Sequence, residues 1–355
     1  TSDTELMNNP RASVQQVYGR IMEDLDEAIT LLTGASARAD KAEISVEVAY
    51  GLRARANLLM GKWAAAASDA AKAYGTSAPY SVADVSQPTF YNATDNAWIW
   101  GIVVTTEDYL AKTGIVNWPS NLCSLTGMGY TTAASATDVA YRLINKNLWA
   151  KIPETDVRKG WWVDEDLHSP VLDNGLGEDY AYYWANGMFN GGTFPSKFSP
   201  YTNVKFGPDN GTFADTDNAQ DWPLMRVEEM KLIEAEALGR DNLATGKQKL
   251  EEFVRQYRDP SYTCTAGSLD AFIDEVWFQR RVELWGEGFA LFDILRLKKP
   301  IIRQGANYPI NSTFAEIAAE APIMIYRIPE AETSVNSAIT EADNNPAAMA
   351  PTPVN

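Results

Sequence analysis

The stretch Gln279-Arg280-Arg281-Val282-Glu283-Leu284-Trp285-Gly286-Glu287-Gly288-Phe289-Ala290-Leu291-Phe292-Asp293-Ile294-Leu295-Arg296 alternates charged with apolar residues. Its pattern predicts a largely buried helix, broken at Gly286 and Gly288 and resumed from Phe289 to Leu297. Buried charges must be paired and hydrogen-bonded. Arg280 and Arg281 can meet Glu283, Glu287 and Asp293 through bidentate contacts. Glu283 and Glu287 also invite a second reading, as the carboxylate pair of a glycosidase. Neighbouring arginines hold carboxylates ionised and unfit for acid catalysis. The stretch therefore predicts a structural ion network rather than a catalytic centre.

Working outward, Ser268 caps the helix that leads into this stretch and reaches Trp285. Before it, Leu224–Leu238 is apolar on one face and carries Glu228, Glu229, Glu234 and Glu236, with Ala244–Tyr257 as its antiparallel partner. Near the start, Ile44–Met60 and Lys62–Tyr74 form a hairpin turning at Gly61, with facing alanines that let the helices approach closely and Trp63 as a wedge. This resembles a tetratricopeptide unit loosely. The first segment reads as a helix capped by Asn9, opened by Pro10, ended by Gly34, with one apolar face through Val14, Val17, Ile21, Leu25, Ala28, Ile29 and Leu32. Between the hairpin and Trp222 helical periodicity fades, apart from a short helix near Thr137–Trp149. Eight of the eleven tryptophans lie here: Trp98, Trp100, Trp118, Trp149, Trp161, Trp162, Trp184 and Trp222. Loops this long are uncommon unless they serve function.

The expected organisation is one all-α domain over residues 1–355. It comprises helical hairpins (1–74), a loop-rich ligand region (75–222), C-terminal helices with a closing segment (223–343) and a proline- and alanine-rich tail (344–355).

Thirty basic against 47 acidic residues give a net charge of −17, a field that repels phosphate backbones and anionic lipid. A neutral ligand is compatible with it. No apolar run is long enough to span a bilayer. Cys123 and Cys264 are too few for a disulfide framework or a zinc site and read as unlinked packing residues. His168 is the sole histidine, which removes most histidine-rich metal sites. Asp209, Asn210, Asp215, Asp217, Asn218 and Asp221 share one loop. Oxygen-rich loops can hold calcium, though this spacing matches no EF-hand and solvated acidic loops are common.

The pattern Arg-x-x-Glu-Leu-x-x-Glu-Gly-x-x-x-x-Asp-x-x-Arg runs through Arg280, Glu283, Leu284, Glu287, Gly288, Asp293 and Arg296. It resembles the C-terminal signature of the SusD/RagB family. Gln279 stands where the family usually has glutamate, and Ala290 where it has arginine, so the resemblance implies a smaller ion network here. Asn9-Pro10-Arg11 with Val17-Tyr18 and Asp24-Leu25, Ala49–Trp63, Asp156-Val157-Arg158, Pro223–Leu238, and Ile328-Pro329 with Glu332, Asn336 and Asn345-Pro346 are similar to further family segments in the family's order. The likeness spans essentially the whole chain. Family members are usually longer at the N-terminus, with a signal peptide, a lipidated cysteine and an earlier helical pair. The resemblance thus implies an N-terminally truncated chain.

What the resemblance implies is a surface-exposed outer-membrane lipoprotein, held to the membrane only by an N-terminal lipid anchor absent from this chain. It captures glycans without cleaving them and passes them to a SusC-like TonB-dependent transporter. The tryptophan-rich middle agrees, because a sugar ring has an apolar face that suits an indole and hydroxyls that need amides and carboxylates. Candidate platforms are Trp118, Tyr130, Trp161, Trp162, Tyr182, Tyr183 and Trp184; candidate polar partners are Asn117, Asn121, Asp164 and Asn186. Trp98 and Trp100 rank lower, since Asn96–Trp100 reads as a partly buried strand. No cofactor is called for. Two rival classes remain: a glycoside hydrolase, which needs two exposed carboxylates facing one cleft, and a helical-repeat peptide-binding scaffold, which needs a long concave groove.

Overall fold

The computed structural model describes residues 8–109, 111, 121–126, 141–188, 197–308 and 316–347. The fold is mainly helical, as expected, and the chain packs into two compact units: Glu27–Gly288, and Thr1–Asp26 with Phe289–Asn355.

In the larger unit, α2 (Val46–Leu59) and α3 (Trp63–Tyr74) form the expected hairpin, the first helix of the chain, α1, being Val14–Leu32. Ala54, Ala66 and Ala70 are fully buried between them. Further on come α4 (Pro170–Leu176), α5 (Glu178–Ala185), α6 (Val227–Asp241), α7 (Leu243–Tyr257) and α8 (Leu269–Glu283). Helix α6 is central, packing on α2, α3, α7 and α8. It is buried on every side, and its glutamates are each answered. Glu229 meets Arg55 at 2.6 Å, Glu234 accepts from Tyr74 at 2.9 Å, and Glu236 pairs with Arg240 at 2.9 Å. Gly246 of α7 lies against α6 so closely that a β-carbon there would stand 2.3 Å from Gly239 Cα.

The helix expected from Leu224 begins only at Val227. Residues Trp222–Arg226 form strand β2 instead, antiparallel to β1 (Trp98–Ile102), with Trp98 opposite Arg226 and Ile102 opposite Trp222. The pairing with β1 accounts for the difference, since it holds these residues in extended backbone up to Arg226. Ile99 and Met225 then join Val227, Met230 and Ile233 in the core of the helices. The loop-rich region has a core of its own, built from Phe90, Trp98, Trp161, Trp162, Trp184 and Phe206.

Helix α1 begins at Val14 rather than Pro10. Ser13 Oγ accepts the Gln16 N–H at 3.2 Å while Gln16 Oε1 accepts the Ser13 N–H at 2.8 Å, a reciprocal cap. Of its apolar positions Ile29 is buried, while Val14, Val17 and Ile21 are exposed. Asn9, expected as the cap, has another use within the smaller unit. Its N–H donates to Asn336 Oδ1 at 3.2 Å, and Asn336 Nδ2 donates to its carbonyl at 2.9 Å. Arg11 Nη1 likewise donates to the Asp343 carbonyl at 2.7 Å. The opening and closing segments noted in the sequence are thus hydrogen-bonded partners. Helix α9 (Ala290–Arg296) and a short antiparallel pair, β3 (Ile301–Ile302) with β4 (Glu316–Ile317), also belong to this unit. Among the described residues no helix is long and apolar enough to cross a membrane.

Candidate functional site

Glu283 ends α8 fully buried, in the network the sequence predicts but with different partners. Arg258 Nε lies 2.8 Å from Glu283 Oε2, Arg158 Nη1 at 3.3 Å, and Arg226 Nη1 at 3.4 Å from Oε1. All three arginines come from elsewhere in the chain, not from Arg280 or Arg281. Arg281 instead lies 4.8 Å over the Trp277 ring. Burial pushes the Glu283 carboxyl up, but the three arginines outweigh it and hold the group far below the usual carboxylate range. Glu287 is also lowered, with Arg226 and Lys205 overcoming burial. Glu228 moves the other way, because burial outweighs Arg226 and Arg258. Gln279, the departure from the family pattern, joins as a neutral member: its Oε1 accepts from Arg158 at 2.6 Å. Lys205 Nζ donates to the carbonyls of Glu283 and Trp285 and to Glu287, at 2.7 to 2.9 Å, among the rings of Phe90, Trp161 and Phe206. Burial pulls it down to about 8. Gly286, at φ +81°, turns the chain here; a β-carbon would lie 2.7 Å from the Phe206 ring. Buried carboxylates bound to arginines cannot reach a glycosidic oxygen or hold the proton that acid catalysis needs.

Three expected platforms are core. Trp161, Trp162 and Trp184 are 0–1% exposed. The Trp161 indole N–H donates to the Val85 carbonyl at 3.0 Å and that of Trp184 to the Ser124 carbonyl at 3.1 Å. Trp162 stands edge-on to Trp285, ring centres 5.6 Å apart. None offers a face to a ligand. A loop-rich region still has to bury a core, and indoles cover the most area in it. Trp118, Asn117 and Tyr130 lie outside the described residues.

The exposed candidates sit on α5. Tyr182 is 56% and Tyr183 48% exposed, their rings 5.9 Å apart at an interplanar angle of 71°. Asn186 closes the helix, its Nδ2 donating to the Tyr182 carbonyl at 3.0 Å. Asn121 Oδ1 accepts from Arg142 at 2.8 Å.

Helix α5 packs on α4. Beside α4 opens a cleft of 490 Å³, lined by Trp149, Lys159, Asp164, His168, Asn174 and neighbouring residues. Asp164 is thereby placed in a cavity, and one edge of the buried Trp162 reaches its wall. Trp149, half-buried, was legible only as one tryptophan among many, and His168 only as a lone histidine. Neither has a spacing that marks it, because the cleft forms between separate short elements.

The acidic loop serves the backbone. Asp221 accepts the N–H groups of Ala93 and Val104 at 2.8 Å each. Among the described residues no group of three or more His, Cys, Asp or Glu side chains could hold a metal ion. Cys123 and Cys264 are buried thiols not joined in a disulfide; Cys123 Sγ donates to the Phe206 carbonyl at 3.4 Å, and burial pushes its thiol up to about 12.

No curated protein matches the chain. Solved structures do. A SusD-like carbohydrate binding protein from Bacteroides vulgatus ATCC 8482 superposes with a TM-score of 0.70 at 21% identity, over 98% of this chain and 70% of that one. A SusD superfamily protein from Bacteroides thetaiotaomicron VPI-5482 gives 0.69 at 22% identity, over 98% and 69%. A laminarin binding SusD-like protein gives 0.56 at 19% identity, over 98% and 72%. The sequence profile of the SusD family matches residues 131–346, a span that holds the Asp156–Arg158 loop, the Arg226–Glu228 turn and the buried Glu283 and Glu287: the chain belongs to the SusD family.

Proposed function

We propose that this protein captures glycans without cleaving them and hands them to a SusC-like TonB-dependent transporter at the outer membrane surface. Family membership supports the reading, together with a solved relative described as laminarin binding. The observation that carries it to particular residues is the exposed Tyr182–Tyr183 pair on α5, the helix packed on α4, whose residues Pro170, Val171 and Asn174 line the Asp164 cleft. Two tilted rings offer apolar faces to a sugar, and Asp164 and Asn186 supply polar partners. Asn121, and outside the described residues Trp118, Asn117 and Tyr130, complete the proposed set.

A glycan array on the purified protein identifies ligands, and calorimetry on the strongest then compares variants. Tyr182→Ala and Tyr183→Ala should each weaken binding by about 1 kcal/mol while the melting temperature holds. Normal binding in both variants would remove the pair from the site. Chromatography of the incubated ligand should show no hydrolysis products. Turnover that disappears on replacing an exposed carboxylate would make the protein a glycosidase instead. Co-expression with a SusC-like transporter should yield a complex that copurifies.

A further inference from the structure

Every basic side chain lining the cleft is already engaged. Lys159 Nζ donates to the Ile152 carbonyl at 3.0 Å, pairs with Glu154, and lies 4.5 Å from the centre of the Trp149 ring. Arg258 directs its donors to Glu228, Glu283 and the carbonyls of Tyr80 and Tyr257. His168 Nε2 is 2.6 Å from Asp173 Oδ2. Of the neutral donors, Asn174 Nδ2 binds the Ser86 carbonyl at 3.0 Å and Ser86 Oγ binds that of Val82 at 2.6 Å, while the unpartnered indole N–H of Trp162 is sealed from solvent.

What the cleft still offers is an acceptor. Asp164 is half-buried, and its Oδ1 accepts the N–H groups of Asp166 and His168 at 2.9 Å each. Those bonds fix the carboxylate's orientation. Among the described residues no side-chain cation pairs with it. A ligand hydroxyl or ammonium can donate to Asp164 Oδ2, whereas a ligand carboxylate or sulfate would meet like charge with no free cation to answer it. Trp149 adds a half-buried apolar wall. The 490 Å³ volume falls within the range of small-ligand pockets, about 300–1,000 Å³.

We propose that this cleft is a charge-selective subsite, which accepts a neutral or amino sugar unit through Asp164 and excludes uronic acids and sulfated sugars. The proposal rests on the glycan-capturing reading above. It goes further by naming the class of sugar and the residue that selects it.

Nuclear magnetic resonance on the full chain tests it with glucose, glucosamine and glucuronate as probes. The chain has eleven tryptophans, so the Trp149 indole N–H signal is assigned by its loss in Trp149→Phe. Glucose and glucosamine should shift that signal. Glucosamine should bind at least about tenfold more tightly than glucuronate, the scale of one close unit charge at a partly exposed site. The gap should close in Asp164→Asn, which keeps Oδ1 as an acceptor for both N–H groups. Should that variant lose thermal stability, added salt on the native protein reads the same quantity, since screening narrows a charge-based gap. Glucuronate binding as tightly as glucosamine, a gap indifferent to both Asp164→Asn and salt, or no Trp149 shift with any probe would each overturn the subsite. A cleft that fails while array binding still depends on Tyr182 and Tyr183 leaves the glycan reading standing; a blank array defeats that reading first.

Discussion

At the scale of single residues, the decisive fact is that Glu283 is buried and surrounded by three arginines. Removing one partner of a buried ion group leaves the others uncompensated, so Glu283→Ala should lose about 3–5 kcal/mol, read by urea denaturation. Unchanged stability would mean that the carboxylate does not balance those arginines. Acidity should act through the same group. The native carboxyl is held below its ordinary 4.5, so between the two values the unfolded chain binds more protons than the folded one. Stability is then fully present above about 4.5 and falls as pH drops toward the native value. Glu287 acts in the same direction and Glu228 in the opposite one. An acid series of urea midpoints should slope downward, and Glu283→Gln should flatten it. The tryptophans separate by the same logic of burial. Trp161→Ala and Trp184→Ala should each lose about 3–5 kcal/mol of stability, and any loss of sugar binding should follow unfolding rather than precede it.

At the scale of elements, small residues set how closely helices approach. Gly246 leaves no room for a β-carbon against the backbone of α6. Gly246→Ala should therefore force α6 and α7 apart and cost about 1–3 kcal/mol, seen as a lower melting temperature. A variant as stable as the native chain would show that the crossing can relax. Element boundaries followed local chemistry that periodicity does not register. Ser13, not Asn9, caps α1, and Ser13→Ala should weaken it by about 1 kcal/mol. Strand β2 replaced the first turn of the helix expected from Leu224, because pairing with β1 holds those residues extended.

At the scale of the whole molecule, the acidic surface and the charge-compensated cleft point to the same ligands. A net charge of −17 and a cleft without a free cation both disfavour polyanions. Heparin and nucleic acid should fail to bind even at low salt, as judged by gel shift. Within the smaller unit, the two hydrogen bonds between Asn9 and Asn336 hold the opening segment to the closing one. Asn336→Ala should therefore speed hydrogen exchange around Asn9. Exchange as slow as in the native chain would show that other contacts hold the segment.

The sequence by itself determined the mainly helical class, the α2–α3 hairpin, the helix capped by Ser268 and the burial of the motif around Glu283, whereas Leu291 and Phe292 in its second half are exposed. These rest on spacing along the chain, on caps, and on the rule that an interior charge needs a partner. Which partners answered Glu283 was decided by tertiary structure. Arg158, Arg226 and Arg258 are distant in sequence, whereas the neighbouring Arg280 and Arg281 were the ones within local reach. Tertiary structure also decided which aromatic residues face solvent. Trp161, Trp162 and Trp184 look the same in sequence as any exposed platform, since composition records how much apolar area a region must bury and not which side chain buries it. The cleft itself has no linear signature. Trp149, Asp164, His168 and Asn174 become neighbours only when short elements of the larger unit fold against one another.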